Sequence, residues 1–386
     1  MTATSLVVVG HDATRSGAPV ALLTLVRWLR RSTSADVSMI LLRPGELLDD
    51  HRALAPTVVL ERGGPRRALV ERVRQRWRFA PSPGFGPVVR RRGPAPDVVL
   101  ANTLASLDVA ARVAGRARGV RLVCWVHELD GVADRVLPPG ARRQALLERV
   151  DRFAAVSESV AVMLVERLGV PAERVQVIGP APDTGPAETP ETAEHADEAA
   201  AVPGLDDDRP VVVAMGAPGP RKGSERFFDV VSMLVDHPRR PLCLWIGGDA
   251  RSSSWDEISN DVGRVPPDLG RLLPSTSTPS PYLRRADLLV STAIEDPCPL
   301  VVLEAAAAGT AVAGYDSGGI AEVLAGAGQS DALVPVGDAV ALAEVVGRML
   351  DRPDELAARG RSLREVVQRD RSVDVVGRRM WELITG

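Results

Sequence analysis

The chain has almost no lysine. Among its 47 lysine and arginine residues, Lys222 is the single lysine, and every other basic position is arginine. Aromatic residues are scarce at 3%, and there are three widely separated cysteines, Cys124, Cys243 and Cys298. This odd number of distant cysteines fits a reducing compartment and gives no metal-ligand spacing. The net charge of −3 argues against a general nucleic-acid binder.

Long apolar runs are also lacking. No run approaches the roughly 20 residues that a membrane-spanning helix needs. The N-terminus has no basic region, and its apolar stretch SLVVVG is followed at once by His11, Asp12 and Arg15. We therefore predict no signal peptide and a cytoplasmic location. Residues 62–92 contain ten arginines. We interpret this segment as a solvated face and keep peripheral contact with the inner face of the membrane as an alternative.

What the chain has in abundance is alternation of strand and helix patterns. Short β-branched runs such as SLVVVG, DVVLA, RLVCWV and LCLWIGG are each followed by a segment with apolar residues at helical spacing. Continuous apolar strands are typical of parallel sheets that are covered on both faces. With 386 residues, the chain is too long for one ordinary core. The pattern therefore predicts an α/β protein with two doubly wound, Rossmann-like domains that face a cleft.

An acidic segment divides the two halves. Residues 183–208 are rich in Pro, Ala, Thr and acidic side chains and offer little to bury, so we predict a linker there. The first domain then spans residues 1–182 and the second spans residues 209–370. Residues 371–386 form a last helix, which is a candidate for crossing back to the first domain.

The isolated lysine lies at a strand-to-helix turn. In VVVAMGAPGPRKGSERFFDVV, a strand ends near Met215, a Gly/Pro loop follows, and a helix is expected to begin near Ser224. The amide groups and dipole of a helix N-terminus favour an anion, and an ammonium beside them suits a phosphate. The Gly-four-Gly-Lys-Ser/Thr spacing of a Walker A loop is absent. A solvated lysine on a surface loop is the alternative that this local pattern leaves open.

Two carboxylates flank an apolar helix in the second half. The stretch EDPCPLVVLEAAAAGTAVAG places Asp296 before a helix that is predicted from about Pro299 to Ala308, and Glu304 lies within that helix. A carboxylate on such an apolar segment is costly if it is buried without a partner, which favours a functional role over a solvated one. Carboxylates accept sugar and ribose hydroxyls well because each offers several lone-pair sites. The helix N-terminal amides at Leu300 and Val301 add an anion site.

These motifs, in this order, resemble glycosyltransferase family 4. The carboxylate, seven residues, glutamate and small-residue helix of 296–308 is similar to the family's donor-site signature, and GAPGPRKG stands where its Lys-Gly phosphate loop lies. The segments GHDATRSGAP, LANT, VCWVHEL and AAVSESVAVMLVERLGVPAERVQVIG also match the family's order. The resemblance implies the GT-B fold, a nucleotide-diphosphate sugar as donor, a hydroxyl acceptor, no cofactor and no metal.

The resemblance also implies roles for individual residues. Lys222, assisted by Arg221, would hold the diphosphate, and Glu304 would accept the ribose hydroxyls. The implied donor-binding set is Gly216, Arg221, Lys222, Leu300, Val301 and Glu304. The implied catalytic set is His127, Asp296 and Glu295, with His127 assigned to positioning, and the acceptor-binding set is Ser16, Gly17, Asn102 and Thr103. A retaining transfer is implied, in which the leaving phosphate takes the acceptor proton.

Three departures from the family pattern bear on activity. Ala217 follows Gly216 where the family commonly has an arginine, Cys298 stands in place of a phenylalanine, and PAPD replaces an Asn-Gly turn after VQVIG. They keep two alternatives open beside the glycosyltransferase. One is a nucleotide-sugar epimerase or phosphorylase on the same scaffold, and the other is a catalytically inactive glycan-assembly partner. The nucleotide base, the sugar, the acceptor and the oligomeric state have no readable signal.

Overall fold

A computed structural model describes residues 3–60, 95–115, 119–183, 202, 205 and 208–386. The arginine-rich segment and most of the acidic linker, including His195, lie outside the described residues. The chain forms two compact units. The first comprises Met1–Val156, Val160–Gly179 and Val376–Gly386, and the second comprises Ser157–Ser159 and Pro180–Val375. No helix in the described part of the chain is long and apolar enough to cross a bilayer.

The first unit is built on a seven-stranded parallel sheet. Its strands are β1 Ser5–Gly10, β2 Asp36–Leu41, β3 Thr57–Val59, β4 Val98–Asn102, β5 Arg121–Val126, β6 Arg152–Ala155 and β7 Val175–Val177. Their order is β3-β2-β1-β4-β5-β6-β7, and each neighbouring pair is parallel. The strands β1 and β4 run side by side although two others separate them in sequence. In doubly wound sheets, ligands bind beyond the carboxyl ends of the strands at such a reversal of order.

Helices connect these strands. They are α1 Gly17–Ser32, α2 Leu48–Leu54, α3 Leu107–Ala114, α4 Asp130–Val136, α5 Ala141–Arg149 and α6 Glu158–Val162, with short 3₁₀ turns at Leu104–Ser106 and Ala172–Arg174. A π-helical turn, Met163–Arg167, continues α6, so the hydrogen-bond pattern of this helix changes midway. Apolar spacing predicts the helix but carries no signal for this change.

The second unit repeats the plan with six parallel strands. They are β8 Val211–Met215, β9 Leu242–Ile246, β10 Gly270–Leu273, β11 Leu288–Ser291, β12 Ala311–Tyr315 and β13 Leu333–Val334, in the order β10-β9-β8-β11-β12-β13. The reversal of order falls between β8 and β11, which pair directly. The strands β9 and β12 are buried along their whole length, as expected for a sheet covered on both faces.

The second unit's helices complete the two layers. They are α7 Ser224–Met233, α8 Ser253–Val262, α9 Ser280–Arg285, α10 Leu300–Ala308, α11 Ile320–Gly326, α12 Ala339–Leu350 and α13 Pro353–Arg371, with a 3₁₀ turn at Ser330–Ala332. The predicted helix start near Ser224 is confirmed by α7. The predicted helix end at Ala308, directly before Gly309, is confirmed by α10. Gly309 ends α10 with φ +85°, a left-handed conformation that favours glycine.

A last helix, α14 Val373–Thr385, contributes most of its length to the first unit. Within that unit it packs on α1, where a side chain on Gly377 would come within 2.1 Å of the Trp28 ring. Arg379 Nη2 also donates to the Val177 carbonyl oxygen at 2.7 Å. The absence of a side chain at Gly377 therefore lets the two helices approach closely.

Candidate functional site

The loop after β8 carries the single lysine to the reversal of strand order in the second unit. This loop turns on glycines: Gly216 and Gly219 have φ of +146° and +149°. The amide groups of Lys222 and Gly223 both donate to the Gly219 carbonyl oxygen, at 3.1 and 2.9 Å. Gly223 has φ +66°, and an added Cβ would lie 2.1 Å from the Thr292 carbonyl oxygen. Only glycine lets this turn close against the segment after β11.

Lys222 pairs with Asp296, which lies 74 residues further along the chain. Its Nζ lies 2.5 Å from Asp296 Oδ2, and the two side chains are 22% and 9% exposed. The loops are joined again by backbone contacts. Arg221 Nη1 donates to the Glu295 carbonyl oxygen at 3.0 Å, and the Ile294 amide donates to the Arg221 carbonyl oxygen at 3.0 Å. The structure thus brings the predicted cation and the first predicted acid together.

Two side chains that support the lysine loop were not predicted from the sequence. Thr292 Oγ1 donates to the Gly223 carbonyl oxygen at 2.8 Å, and Trp245 Nε1 donates to the Gly216 carbonyl oxygen at 3.1 Å. Both fix the backbone at the ends of the lysine loop. They come from β9 and from the end of β11, so no local spacing links them to Lys222. Only the strand order places them beside it.

The helix α10 begins at Leu300, directly after Pro299. Leu300 and Val301 are its first two residues and are half-buried. The amides in the first turn of a helix have no partner within that helix, and the dipole makes this end partly positive. Val301 and Lys222 line the same small pocket, so the first turn of α10 and the lysine side chain lie beside one cavity.

Glu304 lies in the second turn of α10 and keeps part of its surface exposed. Burial and, to a smaller extent, the charge of Asp183 raise the pKa of its carboxyl group to about 8, although Lys222 opposes the shift. The group is therefore mostly protonated at pH 7 and is then able to donate a hydrogen bond. Asp183 is an addition to the predicted site. In the sequence it stands out only as the first residue of the predicted acidic linker.

The departures from the family pattern are also visible in the second unit. Arg221, which the resemblance implies assists Lys222, is exposed and directs Nη1 to the Glu295 carbonyl oxygen. Cys298 is half-buried, and burial raises the pKa of its thiol to about 12. Its thiol is therefore neutral at physiological pH. One oxygen of Glu295, Oε1, is buried without a hydrogen-bond partner.

The predicted acceptor residues lie in the first unit, at the carboxyl ends of β1 and β4. Ser16 and Gly17 are exposed at the start of α1. Asn102 is fully buried, and its Nδ2 donates to the Ala18 carbonyl oxygen at 3.0 Å, so it holds the start of α1 in place. Thr103 is 3% exposed and has φ +102°, which is unusual for a residue with a branched side chain.

His127 lies at the end of β5, with its ring 4.7 Å from that of Trp125. Burial and the nearby His11 lower the pKa of His127 to about 3, so the imidazole is neutral. Its Nε2 is buried without a hydrogen-bond partner. His11 lies beside Thr103, with Nδ1 3.5 Å from Oγ1, and it was not among the predicted site residues. The position of His11 directly after β1 is the sequence signal that could have indicated it.

Among the described residues, no group of three or more His, Cys, Asp or Glu side chains is arranged to hold a metal ion. The polar groups instead form two sets, one in each unit. The set in the second unit combines one cation, carboxyl groups and a helix N-terminus, which suits an anion that carries hydroxyl groups. The set in the first unit is uncharged at His127 and rich in hydrogen-bonding groups.

Comparisons with known proteins match both halves of the chain. A family model described as Glycosyltransferase Family 4 matches residues 15–185, and one described as Glycosyl transferases group 1 matches residues 209–352. The D-inositol 3-phosphate glycosyltransferase of Gordonia bronchialis is 28% identical over 289 residues, which are 67% of this chain and 60% of that protein. The 2-deoxystreptamine glucosyltransferase of Streptomyces kanamyceticus is 27% identical over 290 residues, 72% of this chain and 74% of that protein.

Solved structures share the fold over nearly the whole length. The Anabaena HepE protein in complex with UDP and glucose has a TM-score of 0.73 at 17% identity, covering 99% of both chains. The sucrose-phosphate synthase of Thermosynechococcus elongatus also has a TM-score of 0.73, at 21% identity and 98% coverage of both chains. At these identities the similarity concerns the fold. The match to the Gordonia protein spans about 60% of that relative's length.

Proposed function

Because the chain belongs to glycosyltransferase family 4 and has the GT-B fold, we propose that it transfers a sugar from a nucleotide-diphosphate sugar to a hydroxyl group of an acceptor. The observation that carries this proposal is the pairing of Lys222 with Asp296 beside the N-terminus of α10. This pairing places an ammonium group, a carboxylate and helix amides at the reversal of strand order, where a doubly wound sheet binds its ligand.

In this proposal the second unit holds the donor. Lys222 and the first amides of α10 bind the diphosphate, and Glu304 hydrogen-bonds the ribose. Asp296 exchanges its contact with Lys222 for hydroxyl groups of the transferred sugar. The half-buried site supports this division because hydrogen bonds and charges act more strongly where water is partly excluded.

The reaction we propose is a retaining transfer. The bond between the anomeric carbon and the diphosphate oxygen breaks, and the acceptor oxygen bonds to the same face of the anomeric carbon. The departing phosphate oxygen takes the acceptor proton. The low pKa of His127, about 3, supports a positioning role for this residue, because such an imidazole is a weak base. Lys222 lowers the barrier by stabilising the charge that develops on the leaving diphosphate.

The acceptor is the least defined part of the proposal. The curated relatives are named for D-inositol 3-phosphate and for 2-deoxystreptamine, both small rings that carry hydroxyl groups. These names favour a small-molecule acceptor over a glycan or a lipid-linked one. We assign Ser16, Gly17 and Thr103 to the acceptor side, with Asn102 holding the start of α1.

A ligand screen followed by a transfer assay tests the proposal. Melting temperatures are measured with a panel of nucleoside diphosphates and their sugars, because a ligand of the native state raises the melting temperature. UDP-glucose is the first donor, since the Anabaena structure holds UDP and glucose. Hydrolysis-corrected transfer to inositol phosphates and aminocyclitols is then followed by mass spectrometry, with Lys222→Met as the negative control.

The outcomes separate the proposal from its alternatives. A donor-dependent glycosylated product supports it, and retained anomeric configuration by NMR supports the stereochemistry. Conversion of the sugar nucleotide without an acceptor would identify an epimerase. Sugar release to inorganic phosphate would identify a phosphorylase. Nucleotide binding without turnover on any acceptor would identify an inactive binding partner.

A further inference from the structure

A buried carboxyl group that the proposed reaction does not use lies next to His127. Glu128 follows β5 and is 5% exposed. Within the described residues, no lysine or arginine forms an ion pair with it. A carboxyl group buried without a cation is costly unless hydrogen bonds satisfy its oxygens. Its surroundings therefore have to supply donors, and they do so through the backbone.

The donors come from two separate loops. Glu128 Oε2 accepts a hydrogen bond from the His127 amide at 3.0 Å, and Oε1 accepts a weaker one from the Ala105 amide at 3.4 Å. The Leu104 amide also acts on this carboxyl group. Leu104 and Ala105 begin the 3₁₀ turn that leads into α3, so Glu128 takes the place that an anion would take at a helix N-terminus.

The turn held in this way is strained. Thr103 precedes it with φ +102°, a conformation that costs energy for a branched residue and persists only when its surroundings enforce it. The Thr103 amide donates to the Trp125 carbonyl oxygen at 2.8 Å, and Ser106 Oγ donates to the Thr103 carbonyl oxygen at 3.0 Å. The hydrogen bond from the Ala105 amide to Glu128 adds a further contact that holds this turn.

We propose that Glu128 is a positioning residue, whose carboxyl group ties the turn after β4 to the loop after β5 and so presents Thr103 and His127 together. The part of this proposal that concerns the acceptor rests on the proposed function. The tie itself does not, because it is a property of the first unit alone.

The titratable groups around Glu128 are few. Cys124 faces it from β5, His127 adjoins it, and His11 lies beyond His127 at the end of β1. Burial lowers the pKa of both histidines, so they are neutral near pH 7. Burial also raises the pKa of Glu128 to about 7, although the surrounding amides oppose this shift. Protonation therefore favours the closed arrangement, and ionisation favours any opening that admits water to the carboxyl group.

Hydrogen exchange tests the tie without reference to activity. Protection factors are measured by mass spectrometry, from pH 5 to 8, for peptides that cover 102–107 and 126–129. In the wild-type chain we expect protection in both peptides to fall by roughly tenfold per pH unit and to level off above about pH 7. Glu128→Gln keeps the shape but removes the titration, so its protection should be independent of pH. It also replaces one acceptor oxygen with an NH2 group that faces a backbone amide, so its protection should be lower than that of the wild type at pH 5.

Glu148→Gln is the matched control, because Glu148 is an exposed glutamate of the same unit. It should reproduce the wild-type profile. The proposal is overturned if wild-type protection in the two peptides does not depend on pH, or if Glu128→Gln keeps the wild-type dependence. The wild-type profile decides the matter even if the variant fails to fold.

The activity measurement separates this proposal from the proposed function. Glu128→Gln should raise the KM for the acceptor by about tenfold and leave the affinity for nucleoside diphosphate unchanged, because Lys222 and Glu304 belong to the other unit. If no acceptor is ever glycosylated, the proposed function fails while the exchange profile still judges Glu128. If transfer occurs and Glu128→Gln changes neither KM nor protection, the positioning role fails alone.

Discussion

Lys222→Met isolates the ion pair at the centre of the second unit. Methionine keeps most of the apolar stem of lysine and removes the ammonium group. Asp296, 6% exposed, is then left without its cation at a site where Lys222 Nζ had stood 2.5 Å from Oδ2. Two effects follow, one on stability and one on transfer, and they have different causes.

The effect on stability comes from the carboxylate that remains. Removing one partner of a buried ion pair costs about 3 to 5 kcal/mol, because an uncompensated buried charge is left. The 22% exposure of the Lys222 side chain places this pair at the lower end, about 3 kcal/mol. For a folding unit of roughly 200 residues, that corresponds to a fall in melting temperature of about 6 to 12 °C.

Under the proposed function, the effect on transfer comes from the lost contact with the leaving diphosphate. Removing one such electrostatic contact costs on the order of 2.7–4 kcal/mol, which lowers kcat by about a hundred- to a thousandfold. A second substitution separates the two effects. In Lys222→Met/Asp296→Asn the buried charge is gone, so most of the lost stability should return while transfer stays low.

Differential scanning calorimetry measures stability, with the transition of the second unit identified by its shift on adding nucleoside diphosphate. Arg348→Met is the control, since Arg348 and Glu344 form an exposed ion pair in α12 at 3.9 Å. Such pairs contribute about 0 to 1 kcal/mol. The reasoning is refuted if Lys222→Met melts like the wild type, or if Asp296→Asn fails to restore the double variant.

Three further predictions follow from single positions. Gly223→Ala should destabilise the second unit by more than about 3 kcal/mol in urea unfolding, because its Cβ would meet the Thr292 carbonyl oxygen at 2.1 Å. The control Gly328→Ala, where φ is +67° and the space is open, should lose only about 1 kcal/mol. Equal losses in the two variants would contradict this prediction. Glu304→Gln should weaken nucleoside diphosphate binding by about tenfold in calorimetry at about pH 9, where the carboxyl group is ionised and offers two acceptor oxygens against the one of an amide. It should also abolish the loss of stability, about 5 kcal/mol, that the wild type shows as pH rises from 4.5 through about 8, since the pKa of Glu304 is raised on folding. His127 should remain neutral from pH 5 to 8, so its ring signals in NMR should not titrate, and a midpoint near 6.5 would disprove the burial of its charge.

Much of the fold follows from local pattern. The runs that predicted strands form the two parallel sheets, because an uninterrupted β-branched stretch between helical segments has one favourable environment. The helix boundaries at Ser224 and Gly309 follow from glycines that adopt left-handed conformations. The change of α6 into a π-helical turn at Met163 could not be predicted, since apolar spacing is compatible with both hydrogen-bond patterns.

The site residues could be predicted where a residue stands out in its own segment. They could not be predicted where their place depends on strand order. The sequence indicates Lys222, Asp296 and Glu304 because each stands out in its own segment. Their proximity, and the part of Thr292 and Trp245 in holding the lysine loop, arise from the pairing of β8 with β9 and β11. A resemblance to a family supplies that arrangement in advance, whereas composition and spacing do not.

Similarly, Glu128 gave no signal beside His127. Its significance depends on amides of Leu104 and Ala105 that are more than twenty residues away. A glutamate after an apolar strand is compatible with both a solvated loop and a buried turn. What distinguishes the two cases is the supply of backbone donors, and that depends on the 3₁₀ turn which follows β4.

The choice of lysine at position 222 has a physical reason in this site. Its ammonium group neutralises Asp296, and Glu304 is mostly neutral through protonation at pH 7. Under the proposed function, Lys222 changes partner from the carboxylate to the phosphate when the diphosphate binds. A single charge on a flexible stem makes that exchange readily, whereas an arginine fork would hold the carboxylate through two parallel hydrogen bonds. The requirement to release Asp296 for the sugar therefore favours an ammonium group, even in a chain that uses arginine at all its other basic positions.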